Sequence, residues 1–504
     1  MNKFYITTPL YYVNASPHIG HAYTTVAADT LARFYRLRND EVFFLTGTDE
    51  HGGKIFEAAE KENQTPSEFV DRIVENFKNL WKTLNISYDF FIRTTDDSHV
   101  RQVKEVIEFF YEKGDIYKAV YKGYYCTPCE TFFSSSQAES NSFLCSECGR
   151  PLQKIEETNY FFRLSRYQDW LKNYLENNPD FIKPSIRYNE ALGFLKKQPL
   201  VDLCISRPKK RVSWGIDFPL DNDYVVYVWF DALLNYITAI GIFEDKEKFE
   251  KFWPADCQII GKDILKQHAI YWPIILHALG IEPPRLIFAH GWWLVEEEKM
   301  SKSKGNIVDP YKLVEEFGKD AIRYFLLREI PFGNDGNFSY SNIVKRINSD
   351  LANDLGNLVF RVLNMAEKYF SSHIESKKAE IPSEFKNVLN LKKEYVSYME
   401  RLEFSSALER VWEFINLMNK YIEDKKPWIM WREKKLDELS YFLFSLLEGI
   451  RIVAIYIYPF MPDTSFSILR QLGLEEEELS LEKINWQKRN FSVKKGAPLF
   501  PRIQ

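Results

Sequence analysis

Two histidines three residues apart, His18 and His21, bracket Ile19 and Gly20 where an apolar run gives way to a helical pattern. Phe4 to Leu10 reads as a short buried strand, apolar and β-branched, with Pro9 near its end. From His21 onward Tyr23, Val26, Ala27, Leu31 and Phe34 recur at helical spacing. Strand, turn and helix in that order set unpaired N–H groups and a positive dipole end beside a glycine that admits a ligand, which favours an anion. An isolated pair of this kind is more often a capped helix with two polar surface side chains. Support comes from the distant stretch "KMSKSKGN", where Lys299 and Lys302, with Ser301 and Ser303, lie on a loop beside Gly305. Such a loop could close over a polyanion. Because Glu296 to Glu298 precede it, a solvated surface is the commoner reading for the loop alone.

The third chemical feature is a set of cysteines. "CTPC" and "CSEC" place Cys126, Cys129, Cys145 and Cys148 as two C-x2-C pairs separated by fifteen residues. Each pair makes a tight knuckle that aims two thiolates at one point, and two knuckles complete a tetrahedral zinc site. A closed four-thiolate site leaves no position for substrate, so one structural Zn2+ is expected there. Cys204 and Cys257 are expected to be core thiols.

The elements that must position these groups follow from pattern. The 504 residues suit about two to four domains. Hydrophobic residues make up 45% and charged residues 27%, which is ordinary for a globular protein. A net charge of −5 provides no global basic field, so any nucleic-acid contact must rest on local patches. No run of about 18 apolar residues and no signal-peptide pattern is evident, which points to the cytosol. The fold class expected is α/β, a doubly wound parallel sheet of Rossmann type with an inserted zinc module, followed by an all-α bundle. The expected boundaries are 1–114 for the first half of the sheet domain, 115–225 for the insertion and 226–294 for the second half. The lysine loop and its surroundings take 295–344, a helix bundle 345–490 and a tail 491–504. Thr65 to Glu68 matches a capping box, and Asp309 with Pro310 a helix start.

"HIGH" followed much later by "KMSKS" resembles the signature pair of the class I aminoacyl-tRNA synthetases. "TPLYYVN", "GTDEHG", "YVWFDALLNY", "GKDILKQH", "FAHGWW" and "KPW" are similar to the methionine-specific branch of that family, from about residue 4 to residue 431. The resemblance implies activation of L-methionine with ATP, giving methionyl-adenylate and pyrophosphate, then transfer to the terminal adenosine of tRNA(Met). It implies that His18, Gly20 and His21 serve the ATP phosphates, adenine and ribose, that Lys302 with Lys299 binds the developing pyrophosphate, and that Mg2+ accompanies ATP. Asp49 and the Leu10 backbone would hold the substrate ammonium. Leu10, Tyr12, Trp229, Ala232, Leu233, Tyr236, Ile264 and His268 would form the thioether slot, with Asp263 orienting Arg207 or a ring. Leu233 stands where some relatives have proline.

The insertion is too short for a hydrolytic editing domain, so rejection of homocysteine would fall to the synthetic site. In the bundle, Asn357 and Arg361 share a helix face at i and i+4, and Pro427 precedes Trp428; the resemblance assigns these to the CAU anticodon. It also implies that the C-terminal tRNA-binding and dimerising domain of many relatives is supplied by a separate subunit, or that the protein is a monomer. Rival readings are a class I synthetase for cysteine or a branched aliphatic amino acid, a nucleotidyltransferase that does not bind RNA, and a zinc-ribbon nucleic-acid binder.

Overall fold

The computed structural model describes residues 2–126, 131–133, 135–146, 149–197, 199–295, 298–299, 308–375, 380–386 and 388–503. Six parallel strands form the central sheet in the order Phe90–Arg93, Glu41–Asp49, Lys3–Tyr12, Cys257–Gly261, Ile287–His290, Ile182–Lys183. The first strand has the second on one side and Cys257–Gly261 on the other, so the winding reverses there and leaves a crevice beyond the carboxyl ends. Pro9 has no N–H to give the ladder. The pairing slips by one residue between Thr7 and Leu10, a bulge that re-aims the end of the strand. Gly47, opposite, has no room for a side chain, since a Cβ there would lie 2.0 Å from the Ile92 carbonyl oxygen.

The sheet carries a core on each face. One, built on Ile107, Phe162, Phe230 and Trp272, lies under helices Asp97–Glu112 and Val228–Thr238. The other begins on helix Ile19–Leu37 and continues unbroken into the C-terminal bundle through Leu327, Leu351, Val411 and Leu447. Both helix starts read from the sequence form as expected. The Thr65 N–H donates to Glu68 Oε2 and the Glu68 N–H to Thr65 Oγ1, while the Tyr311 N–H donates to Asp309 Oδ1 at 2.9 Å.

Three features depart from the linear reading. The edge strand Ile182–Lys183 comes from inside the stretch 115–225 yet pairs with Ile287–Phe288, and Leu171, Leu175 and Leu195 join the same core. The antiparallel sheet of Ile116–Cys126, Gln153–Phe162, Thr131–Phe133 and Leu203–Cys204 lies outside the parallel sheet, with Ile116, Tyr160 and Phe162 joining it to the same core. The tail is packed: Asn490–Ser492 pairs with His373–Glu375, and Asn348 exchanges two hydrogen bonds of 2.9 Å with the Ile503 backbone. Finally, helix Leu436–Ile457 contains an apolar window of mean hydropathy 1.6, long enough to cross a membrane, where no such run was expected. That window is 89% buried as the central helix of the bundle, and apolarity on all sides is what such a position demands.

A buried ion cluster ties the bundle to the sheet domain. Arg323, fully buried, pairs with Asp29 at 2.7 Å and donates to the carbonyls of Leu84, Pro459 and Phe460. Burial works to raise the Asp29 pKa, but Arg33 and Arg323 outweigh it and hold it at about 2.

Candidate active site

A cavity of about 780 Å³ opens at the sheet's switch point. Its floor is the end of the first strand, and its walls are the start of helix Ile19–Leu37, helix Val228–Thr238, the turns through Gly261–His268 and the segment His290–Trp293. His18, Gly20 and His21 line it, as do Leu10, Tyr12, Asp49, Trp229, Ala232, Leu233, Tyr236, Ile264 and His268. Residues spread over 259 positions of chain thus share one cavity, some at the carboxyl ends of the central strands and others along helix Val228–Thr238 and the turn through His268.

The two histidines form the helix cap themselves. The Gly20 N–H donates to His18 Nδ1 at 3.1 Å, and the His18 N–H donates to His21 Nδ1 at 3.1 Å. This is the reciprocal arrangement of a capping box, with imidazoles in place of hydroxyl and carboxylate. Backbone N–H groups can only donate, so both Nδ1 atoms are acceptors and each neutral ring carries its proton on Nε2. The rings stack with centroids 3.9 Å apart, and Gly20 has no side chain because a Cβ would meet His18 at 2.9 Å. Burial, with His18 alongside, lowers the His21 pKa well below its usual value. His21 is therefore neutral near pH 7.

The apolar end is ordered by a second chain of hydrogen bonds. His268 Nδ1 faces the Ile264 carbonyl at 2.9 Å and so carries the proton, leaving Nε2 to accept from the Tyr236 hydroxyl at 2.8 Å. The Tyr5 hydroxyl donates to the Tyr236 carbonyl at 2.7 Å. Burial lowers the His268 pKa to about 4, so the ring is neutral near pH 7. His268 belongs to a π-helical turn, Gln267–Tyr271, a distortion frequent where a helix lines a site. On the far wall the Thr24 hydroxyl and His290 Nε2 lie 2.7 Å apart, and the Trp292 indole donates to Asp263 at 3.2 Å.

Two buried clusters behind the cavity were not legible in the sequence. Asp231, on the same helix as Trp229 and Ala232, accepts from His51 Nδ1 and His99 Nε2, each at 2.7 Å. Burial would raise its pKa, but the two histidines outweigh burial and lower it. Glu50, assigned no role from the sequence, is fully buried and takes a two-pronged bond from Arg93 at 2.8 Å, with further bonds from Thr48 and Thr95. Together they anchor the turn that carries Asp49.

Of the lysine loop, Lys302 lies outside the described residues, and Lys299 is placed by its backbone alone, paired with Leu294. Both flanks of the loop reach the histidine turn. Trp292 and Trp293 line the cavity, and the Ile19 N–H donates to the Val308 carbonyl at 3.2 Å.

Elsewhere, Cys126 and Cys145 are buried together in a small cluster with Phe133, separate from both main cores, while Cys129 and Cys148 lie outside the described residues. Among the described residues no group of three or more metal-ligating side chains occurs. Cys204 and Cys257 are buried, and burial raises the Cys204 thiol to about 11. In the bundle, Asn357 and Arg361 lie on helix Asn357–Phe370, with Asn357 exposed and Arg361 paired to Glu423 at 2.7 Å. Pro427 is buried at the start of the short helix Pro427–Arg432, and Trp428 is 48% exposed.

Comparison with known proteins matches residues 4–363 to the tRNA synthetases class I (M) family and residues 385–497 to the anticodon-binding domain of tRNA ligase. The methionine–tRNA ligase of Clostridium tetani is 50% identical over 100% of this chain and 79% of its own length. That of Bacillus subtilis is 45% identical over 100% of this chain and 78% of its own. A solved structure of Mycobacterium tuberculosis methionyl-tRNA synthetase in complex with methionyl-adenylate superimposes with a TM-score of 0.93 at 40% identity, covering 100% of both chains. The chain therefore belongs to the tRNA synthetases class I (M) family.

Proposed function

We propose that the chain activates L-methionine with ATP and transfers the methionyl group to the 3'-terminal adenosine of tRNA(Met). The observation that carries this reading is the cavity that His18, Gly20 and His21, at a helix start, line together with Trp229, Tyr236, Ile264 and His268. One end suits phosphate and the other a flexible thioether, whose polarizable sulfur favours ring edges.

In the first step a methionine carboxylate oxygen attacks the α-phosphorus of ATP. The bond from that phosphorus to the bridging oxygen breaks, and pyrophosphate leaves. In the second a hydroxyl of the terminal adenosine attacks the adenylate's carbonyl carbon and AMP leaves. Neither step needs a protein nucleophile; the protein's part is positioning and charge stabilisation. His18 and His21 donate from Nε2 toward the phosphates, and their capped geometry fixes those donors before substrate arrives. Lys302, supported by Lys299, binds the developing pyrophosphate. Asp49 and the Leu10 carbonyl take the substrate ammonium, and the Tyr236–His268 pair holds the slot's shape. Mg2+ bound with ATP supplies further charge neutralisation.

Zn2+ held by Cys126, Cys129, Cys145 and Cys148 would serve the inserted sheet. The thiols of Cys126 and Cys145 share a cluster too small to hold that sheet's end by apolar packing alone, and a tetrathiolate donor set suits zinc. Asn357, Arg361, Pro427 and Trp428 would read the anticodon. The protein would act in the cytosol.

The test is amino-acid-dependent ATP–pyrophosphate exchange across all twenty amino acids. Methionine alone should stimulate exchange; stimulation by cysteine, valine or leucine in its place would sink the assignment.

A further inference from the structure

The short helix Pro427–Arg432 carries a second tryptophan. Trp431 follows Trp428 by three positions, which sets both on one helical face, and it is 41% exposed. An exposed indole at each of two successive turns leaves a large apolar area in water, and on a monomeric surface such a patch marks a contact site. Trp431 is also held in place. Its ring stacks on Tyr369 with centroids 4.9 Å apart and planes at 25°, and Tyr369 ends the helix that begins with Asn357. One face of the indole is braced by that stack.

Lys426, Arg432 and Lys434 are exposed around the two indoles, and the exposed Glu433 among them pairs with Lys435 at 3.0 Å, so the patch keeps a positive balance in a chain whose net charge is −5. Exposed aromatic faces among cations fit an unstacked base on a phosphate backbone.

We propose that Trp431 is a second stacking platform, which receives a further unpaired base of the same RNA loop that Trp428 receives. This rests on the anticodon reading above and extends it to a residue that reading does not use.

The probe is a fluorescein-labelled stem-loop RNA with a CAU anticodon, titrated against the full chain by anisotropy. One stacked base is worth enough that Trp431→Ala should weaken binding roughly 5- to 150-fold, whereas Trp431→Phe, which keeps an aromatic face, should remain within about threefold of the parent. A scan of single abasic nucleotides around the loop separates stacking from bracing. One nucleotide should matter to the parent and to Trp428→Ala but no longer matter to Trp431→Ala. If Trp428→Ala weakens binding while Trp431→Ala does not, or if the abasic scan gives identical profiles for the parent and Trp431→Ala, Trp431 is only a brace and the proposal falls. If neither variant alters binding, the anticodon reading falls with it.

Discussion

Replacing Asp231 by asparagine probes how the methionine pocket is held. Asp231 is wholly buried and accepts a 2.7 Å bond from each of two imidazoles, His51 and His99. Asparagine keeps the size but offers one oxygen and one NH2, so one ring N–H meets a donor and is left unpaired. A hydrogen bond to a charged group is worth about 1.5–3 kcal/mol, and a stranded buried donor costs about 1–3 kcal/mol more. A loss of about 2.5–6 kcal/mol in the sheet domain follows. The functional consequence should be selective. Asp231 lies between Trp229 and Ala232, and His51 is two residues beyond Asp49, so the pocket walls lose their common anchor. The histidine cap is held by its own bonds and should stand. Methionine KM in the exchange assay should therefore rise by about tenfold, the equivalent of roughly 1.4 kcal/mol, with ATP KM changed less than twofold. A thermal melt would report the stability loss. An unchanged melting temperature together with an unchanged methionine KM would refute the reasoning, as would equal damage to both KM values.

Arg323→Ala should lower stability by about 3–5 kcal/mol, because it leaves three buried carbonyls without their donor and takes from the buried Asp29 one of its two guanidinium partners, Arg33 remaining; thermal unfolding checks this. Asp354, whose pKa is raised to about 6 by burial and then by Asp350, binds protons more tightly folded than unfolded. Its ionisation therefore opposes folding as pH rises from about 4 to 6. Asp354→Asn should raise the melting temperature more at pH 8 than at pH 4.5, and a gain of equal size at both would count against the shifted carboxyl. Lys302→Ala should lose most of the adenylation rate with little change in methionine affinity, as pre-steady-state exchange can measure. Exhaustive chelation, or Cys126→Ser, should release zinc detectable by atomic absorption and sharpen proteolysis within 116–162, and a protein that binds no zinc when refolded with it would contradict the tetrathiolate site.

What the sequence determined was local or periodic. Gly20 between two histidines, Asn357 and Arg361 one helical turn apart, and Asp309 before Pro310 each express themselves within one turn of chain. A spacing of two, three or four residues translates directly into geometry. Strand and helix alternation likewise made the doubly wound parallel sheet expected. Tertiary structure alone decided which distant residues meet. His51 and Asp231 are 180 positions apart, Arg323 and Phe460 are 137, and Asn348 and Ile503 are 155. Nothing local distinguishes an aspartate that will be buried between two imidazoles from one left in water. The edge strand Ile182–Lys183 is two residues long, too short for any period to announce it, and exists only because Ile287–Phe288 offers it a partner. Helix Leu436–Ile457 has the apolarity of a membrane span, and only the helices packed around it make it a core.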